Sequence, residues 1–233
     1  MKAKQVVILL LFLIFGAIAG TAAAIAFYWN RATALPAWYA SGEDPSLLGA
    51  GAENLLQAKL ASGDGVRYGE NNQVEITLSE AELNQVIVAE LARNPETARF
   101  LQAARGVNTT IEGDRINGGV VINMGDLPTQ NLPSEGQRIV QQAVNQLPIL
   151  RNQDVYVGIE GSPRLENGRL VFDQDTRIRL GNMRLTVPEV ARLLGLSPAQ
   201  LQAQIDLALP QAGLVLDGIE FVDGNAILRG VAQ

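Results

Sequence analysis

Val74–Leu91 reads VEITLSEAELNQVIVAEL, and within it the apolar period changes from that of a strand to that of a helix. Val74, Ile76 and Leu78 alternate with polar neighbours, as a strand with one buried face does. Leu83, Val86, Ile87 and Leu91 then recur at helical spacing. Ser79 and Glu82 stand at the junction with capping-box spacing, where a hydroxyl and a carboxylate each satisfy a backbone N–H that the first helical turn leaves orphaned. A strand passing directly into a capped amphipathic helix predicts an α+β domain.

The same grammar extends in both directions. Upstream, Asp44-Pro45 opens a helix carrying Leu47, Leu48, Leu55, Leu56 and Leu60 and ending near Gly63. Downstream, a helix is expected over 95–104, a strand through Val107, Thr109 and Ile111, a hairpin turn at Asn117-Gly118 and a return strand from Gly119 to Met124. A helix over 134–147 follows, with Ile139, Val140, Ala143, Val144 and Leu147 on its apolar face. Val155, Val157 and Ile159 lead to a turn at Asn167-Gly168 and a strand with Leu170 and Phe172, and a further run covers Thr176 to Leu180. Thr186 and Glu189 cap a short helix closed by Gly195, and Ser197-Pro198 starts the last helix, which stops before Pro210. Leu214–Phe221, Asp223-Gly224 and Ala226–Val231 form the final hairpin. Segments starting at Ile111, Ile159 and Ile219 each read as strand, glycine turn, strand. The whole implies a curved antiparallel sheet packed on amphipathic helices.

Ahead of this domain, Val6–Phe27 is 22 residues without a charge. At a helical rise of about 1.5 Å per residue it is long enough to cross a hydrocarbon core of about 30 Å. Lys2 and Lys4 precede it, while Arg31 stands alone before Glu43 and Asp44. The positive-inside rule then predicts a single-pass signal-anchor with residues 1–5 cytoplasmic, 6–27 transmembrane, 28–43 a juxtamembrane linker and 44–233 an extracytoplasmic domain, periplasmic or equivalent. Tyr28, Trp29, Trp38 and Tyr39 stand where an aromatic belt would meet the headgroups. A cleaved signal peptide is the alternative, and it exports the same domain. Gly16 and Gly20 form a GxxxG pair suited to a homodimer of anchors, although small residues also serve as plain filler.

Composition removes several function classes. The 233-residue chain has no His and no Cys, so it has no Ser-His-Asp or Cys-His machinery, no disulfide and none of the usual zinc sites. Its net charge is −6, with two of its lysines ahead of the apolar segment, so the domain repels nucleic acid overall. Asp173 and Asp175 sit in a polar DQD turn without further ligands at EF-hand spacing, and Gly49 and Gly51 lack the third glycine of a dinucleotide site. No catalytic residue, metal site or cofactor is assigned, and a non-enzymatic role is expected. Arg177 and Arg179 alternate on one strand with Arg184 nearby, a set that could clamp a phosphate or simply form a solvated sheet face.

The segments VEITLSEAELNQVIVAEL and RIRLGNMRLTVPEVARLL resemble the YpmS-like family of bacterial membrane-anchored proteins, through Leu78, Ser79, Glu82, Leu83 and Asn84 in the first and Leu180, Gly181, Asn182, Leu185, Val187 and Pro188 in the second. That family is similar to the tubular lipid-binding, LmeA-like modules, in which a long sheet wraps a helix around an apolar groove. The resemblance implies binding or transfer of a membrane lipid or other hydrophobic ligand. Leu83, Val86, Ile87, Ile139, Val140, Leu201 and Ile205 are the candidates to line such a groove, with ordinary core packing as the competing role. Arg177, Arg179 and Arg184 are the candidates for the headgroup. A scaffold or assembly factor touching another membrane protein complex is the alternative function.

Overall fold

The computed structural model describes residues 30–31, 33–40, 55–93, 98, 101, 104–123, 126, 153–173, 175–194, 197–205, 207–209 and 213–232. The apolar segment Val6–Phe27, the helix expected over 134–147 with Ile139 and Val140, and most of that expected over 95–104 lie outside the described residues. Among the described residues no helix is long and apolar enough to cross a membrane.

The elements run α1 (Ala37–Ala40), α2 (Leu55–Ser62), β1 (Val66–Tyr68), β2 (Gln73–Ser79), α3 (Glu80–Arg93), β3 (Ala104–Glu112), β4 (Arg115–Asn123), β5 (Asp154–Gly161), β6 (Arg164–Glu166), β7 (Arg169–Val171), β8 (Arg177–Leu180), β9 (Met183–Thr186), α4 (Val187–Leu194), α5 (Pro198–Ile205), β10 (Leu207–Ala208), β11 (Leu214–Val222) and β12 (Asn225–Ala232). The fold is α+β and the paired strands are antiparallel. They fall into three sheets, ordered β1-β2-β12-β11, β10-β7-β6 and β3-β4-β5-β8-β9.

Both capping boxes form. Ser79 N–H donates to Glu82 Oε2 at 2.8 Å, and Glu82 N–H reaches back to Ser79 Oγ at 3.4 Å. Thr186 N–H and Glu189 Oε2 are 2.7 Å apart, with the return bond from Glu189 N–H to Thr186 Oγ1 at 3.3 Å. These bonds to Thr186 hold the exposed Glu189 carboxyl below its ordinary pKa. The turns at Asn167-Gly168 and Asp223-Gly224 stand where the sequence puts them, each with both residues at positive φ as a type I′ turn requires.

Two turns differ from the sequence reading. Asn117-Gly118 lies inside β4, and the chain reverses at Gly113-Asp114, between the paired residues Glu112 and Arg115. A second reversal at Gly181-Asn182 creates β9 where no strand is expected. In each, only the leading glycine has positive φ, +65° at Gly113 and +55° at Gly181, the pattern of a type II′ turn. The last helix starts at Pro198 and stops before Pro210 as expected, ending at Ile205, with the unexpected short strand β10 after it.

The main core joins the first two sheets to one face of the third. Val74, Ile76 and Leu78 of β2 are at most 1% exposed, and they pack with Leu83 and Val86 of α3, Ile111 and Ile116 of β3–β4, and Leu214 and Leu228 of the last hairpin. A smaller cluster of Val187, Ala191 and Leu201 packs α4 and α5 against Ile178 of β8. Helix α3 also covers the free edge of β3. Glu80 Oε1 accepts the Ile111 N–H at 2.6 Å, Asn84 Nδ2 donates to the Val107 carbonyl at 3.4 Å, and Thr109 Oγ1 donates to Asn84 Oδ1 at 3.1 Å. Asn84 and Thr109 are buried, so Asn84→Leu strands a hydroxyl and a carbonyl together. The expected loss is about 2 kcal/mol, with part recovered in Asn84→Leu/Thr109→Val. Urea unfolding midpoints check this, and an unchanged midpoint in the single variant would refute it.

Candidate functional site

The register of the five-stranded sheet collects polar residues on the face opposite α3, α4 and α5. Asn117 pairs with Glu160 and Glu160 with Arg177; Gly119 pairs with Gly158, Gly158 with Arg179 and Arg179 with Arg184. Because side chains alternate along a strand, Arg115, Asn117, Tyr156, Glu160, Arg177, Arg179 and Arg184 share this face.

Tyr156 is its centre. The ring is 2% exposed and lies over the Gly119–Gly158 pair, so closely that a Cβ on Gly119 would stand 2.5 Å from ring atoms. Its hydroxyl donates to Asn117 Oδ1 at 3.3 Å, and the Arg179 guanidinium sits 5.2 Å from the ring centroid in a cation–π contact. Burial, aided by the Glu160 carboxylate and opposed by Arg179, raises the Tyr156 pKa, so the phenol is a protonated donor at neutral pH.

The chain around Trp38 docks beside this ring. Trp38 meets Tyr156 edge-on at 6.3 Å, Tyr39 donates to Asp154 Oδ2 at 3.4 Å, and the Arg31 carbonyl accepts the Asn182 N–H at 2.7 Å. Burial first, then the Asp154 carboxylate, raise the Tyr39 pKa and keep that donor protonated. Trp38 and Tyr39, candidates for an aromatic belt in the sequence, are thus half-buried against the sheet.

The three arginines read from sequence do share a face, with different partners. Arg177 is held by backbone, its Nη1 donating to the carbonyls of Asp175 at 2.9 Å and Thr176 at 3.3 Å. Arg184 Nε stands 3.0 Å from Glu160 Oε2, yet that oxygen has no hydrogen bond, so the pair is close but off the N–H direction. Arg179 rests on Tyr156. Sequence reasoning misses Arg115, whose Nη2 is 4.0 Å from Glu160 Oε1, and Glu160 itself. Starting the return strand at Gly119 had placed Arg115 ahead of the turn.

The proposed groove residues are placed differently. Leu83 and Val86 are 1% exposed within the main core, Ile87 packs against that core, and Leu201 is 6% exposed in the smaller cluster. Ile205 ends α5. Asp173 Oδ1 accepts from Asp175 N–H at 3.0 Å and Thr176 Oγ1 at 3.3 Å, which gives the DQD segment a turn-forming role. Comparison with family models, with curated proteins and with solved structures finds no match.

Proposed function

We propose that the chain is a membrane-anchored, non-enzymatic lipid-binding protein of the extracytoplasmic side, and that it holds the anionic headgroup of a membrane lipid on the arginine-bearing face of the five-stranded sheet. The observation that carries this reading is the shared face of Arg115, Arg177, Arg179 and Arg184 on a chain whose net charge is −6. Basic groups gathered against the overall charge favour a local anion, and guanidinium forks suit phosphate.

Chain length supports a bilayer as its source. Arg31 is four residues beyond Phe27, a reach of at most about 14 Å, and its carbonyl is bonded to Asn182 at the β8–β9 turn. With Val6–Phe27 as the anchor, that turn lies close to the headgroups, and Arg179 follows about 10 Å along β8. Acyl chains have no such support from Leu83, Val86 and Leu201, whose side chains are occupied in core packing.

The test is lipid retention by the full-length chain, purified in mild detergent and analysed by mass spectrometry. Anionic lipid should co-purify, and Arg179→Gln/Arg184→Gln should lower its ratio to protein by about tenfold, the equivalent of ~1.4 kcal/mol. An identical lipid profile in both proteins sinks the headgroup reading. A stoichiometric protein partner with no retained lipid replaces it with the scaffold role.

A further inference from the structure

Three buried side-chain atoms among the described residues have no hydrogen-bond partner in the protein: Arg115 Nε, Arg179 Nε and Glu160 Oε2. All three belong to the face just described. Arg179 is paired with Gly158, two residues from Glu160 on β5, and Arg115 Nη2 approaches the other oxygen of the same Glu160. Buried polar groups are nearly always satisfied, and each orphan is costly enough that three on one face ask for a common explanation. Two are donors and one is an acceptor, the acceptor being the oxygen that Arg184 Nε approaches to 3.0 Å without hydrogen-bond alignment. A group that satisfies them carries acceptors for guanidinium N–H and a donor for a carboxylate oxygen.

Charge decides what kind of donor. Arg115 and Arg184 flank the Glu160 carboxylate, with Arg179 one pair further along β5 and the backbone-bound Arg177 beside it. Glu112, paired with Arg115, and Asp154, bonded to Asn123 and Tyr39, share the face, so four arginines stand against three carboxylates and Glu160 is the one the guanidinium groups flank. An ammonium there would meet three guanidinium groups, whereas a neutral hydroxyl donates to Glu160 Oε2 without that repulsion. The acceptor end is best met by a phosphate, whose oxygens match the fork of an arginine. Tyr156 supports this by holding the Arg179 guanidinium over its ring. Arg115 and Arg184 side chains are 38% and 63% exposed and have room to turn toward a ligand.

We infer that Arg115, Glu160, Arg179 and Arg184 form a site for a phosphate ester with a neighbouring hydroxyl, the chemistry of a glycerol phosphate headgroup. This rests on the headgroup reading above and assigns a ligand class to it. Arg115, Arg179 and Arg184 take the phosphate, and Glu160 accepts from the hydroxyl and so distinguishes the ester from phosphate alone.

Isothermal titration of the detergent-solubilised full-length chain with glycerol 1-phosphate and with inorganic phosphate tests the site. The ester should bind about tenfold tighter, one well-placed hydrogen bond's worth. Arg179→Gln should weaken both probes about tenfold, and Arg184→Gln, at a more exposed position, provides a second variant with little risk to folding. Glu160→Leu removes the acceptor and one negative charge, so the preference for the ester should vanish while phosphate binds as well as before or better. A second arm places the chain in phosphatidylcholine nanodiscs containing phosphatidylglycerol or phosphatidic acid. Preferential retention of phosphatidylglycerol assigns the ester to a lipid, and ester binding without that preference assigns it to a soluble source. Equal affinity for the two soluble probes, or a preference that survives Glu160→Leu, overturns the hydroxyl assignment and leaves anionic-lipid retention standing. Failure of every probe, together with unchanged lipid retention in Arg179→Gln/Arg184→Gln, removes both readings.

Discussion

Glu82→Gln is expected to destabilise the domain by about 3 kcal/mol, well beyond the loss of a helix cap alone. The reason is Lys59. Its side chain is 9% exposed, and its ammonium lies 2.8 Å from Glu82 Oε1. The remaining acceptors are weaker, the Asp64 carbonyl at 3.4 Å and the 85% exposed Asp64 carboxylate at 3.7 Å. Neutralising Glu82 therefore leaves a nearly buried positive charge without a close counter-ion. Lys59→Met should cost only about 1 kcal/mol, because an apolar stem replaces the ammonium while Glu82 keeps its bonds from Ser79 N–H and Oγ. The double variant Lys59→Met/Glu82→Gln should resemble Lys59→Met plus a cap defect.

Acid titration gives a separate reading of this pair. Burial raises the Glu82 pKa, but the Lys59 hydrogen bond and the two bonds from Ser79 outweigh it, and the net shift is downward. A carboxyl whose folded pKa is depressed contributes stability that is fully present above its unfolded value and is lost as pH falls through the folded one. Urea denaturation from pH 7 down to pH 3 should show this loss beginning near the ordinary glutamate range. Glu82→Gln should lack that component, and Lys59→Met should show a smaller one. A Glu82→Gln protein within 0.5 kcal/mol of the parent, a threshold at about the usual scatter of surface substitutions, would remove the buried-charge argument.

What the sequence revealed depended on how local the cause was. Val74–Leu91 could be read directly, because alternation, a Ser-x-x-Glu cap and helical spacing all act within a few residues. Asn167-Gly168 and Asp223-Gly224 were legible because residues that tolerate positive φ occupy both turn positions. Asn117-Gly118 carries the same signal and is strand, since Gly118 and Gly119 face neighbours supplied from elsewhere, among them Tyr156. No local rule reports a ring that arrives with a different strand.

The site followed the same division. Alternation alone put Arg177 and Arg179 on one face, but Arg115 and Glu160 joined them only through the register of β4, β5 and β8. The docking of Trp38 was invisible because the segment around it has no periodicity. The groove candidates show the opposite difficulty: an apolar helical stripe is identical whether it lines a ligand cavity or fills a core, and Leu83 and Val86 fill a core.

Gly119→Val should cost about 3 kcal/mol despite placing one of the best strand formers in the middle of β4. Even the Cβ of alanine would come within 2.5 Å of the Tyr156 ring, and a Cβ built on the paired Gly158 would lie 2.6 Å from the Tyr156 hydroxyl and 2.8 Å from ring atom Cζ. The ring has no free direction to move, since it is 2% exposed, bonded to Asn117, and flanked by Trp38 and Arg179. Displacing it therefore loosens the docked N-terminal segment and tilts Arg179 together. Tyr156→Ala alone should cost about 3–5 kcal/mol through the cavity it leaves. In Gly119→Val/Tyr156→Ala the valine occupies part of that cavity, so the double variant should be more stable than the sum of the singles by at least about 1 kcal/mol. Unfolding free energies give the cycle, and Trp38 emission in a Trp29→Phe background should shift to the red in Gly119→Val as its partner ring moves. Strict additivity with unshifted emission would mean that the glycine pair and the tyrosine are independent, and the close approach that sets aside the Asn117-Gly118 turn signal would lose its physical basis.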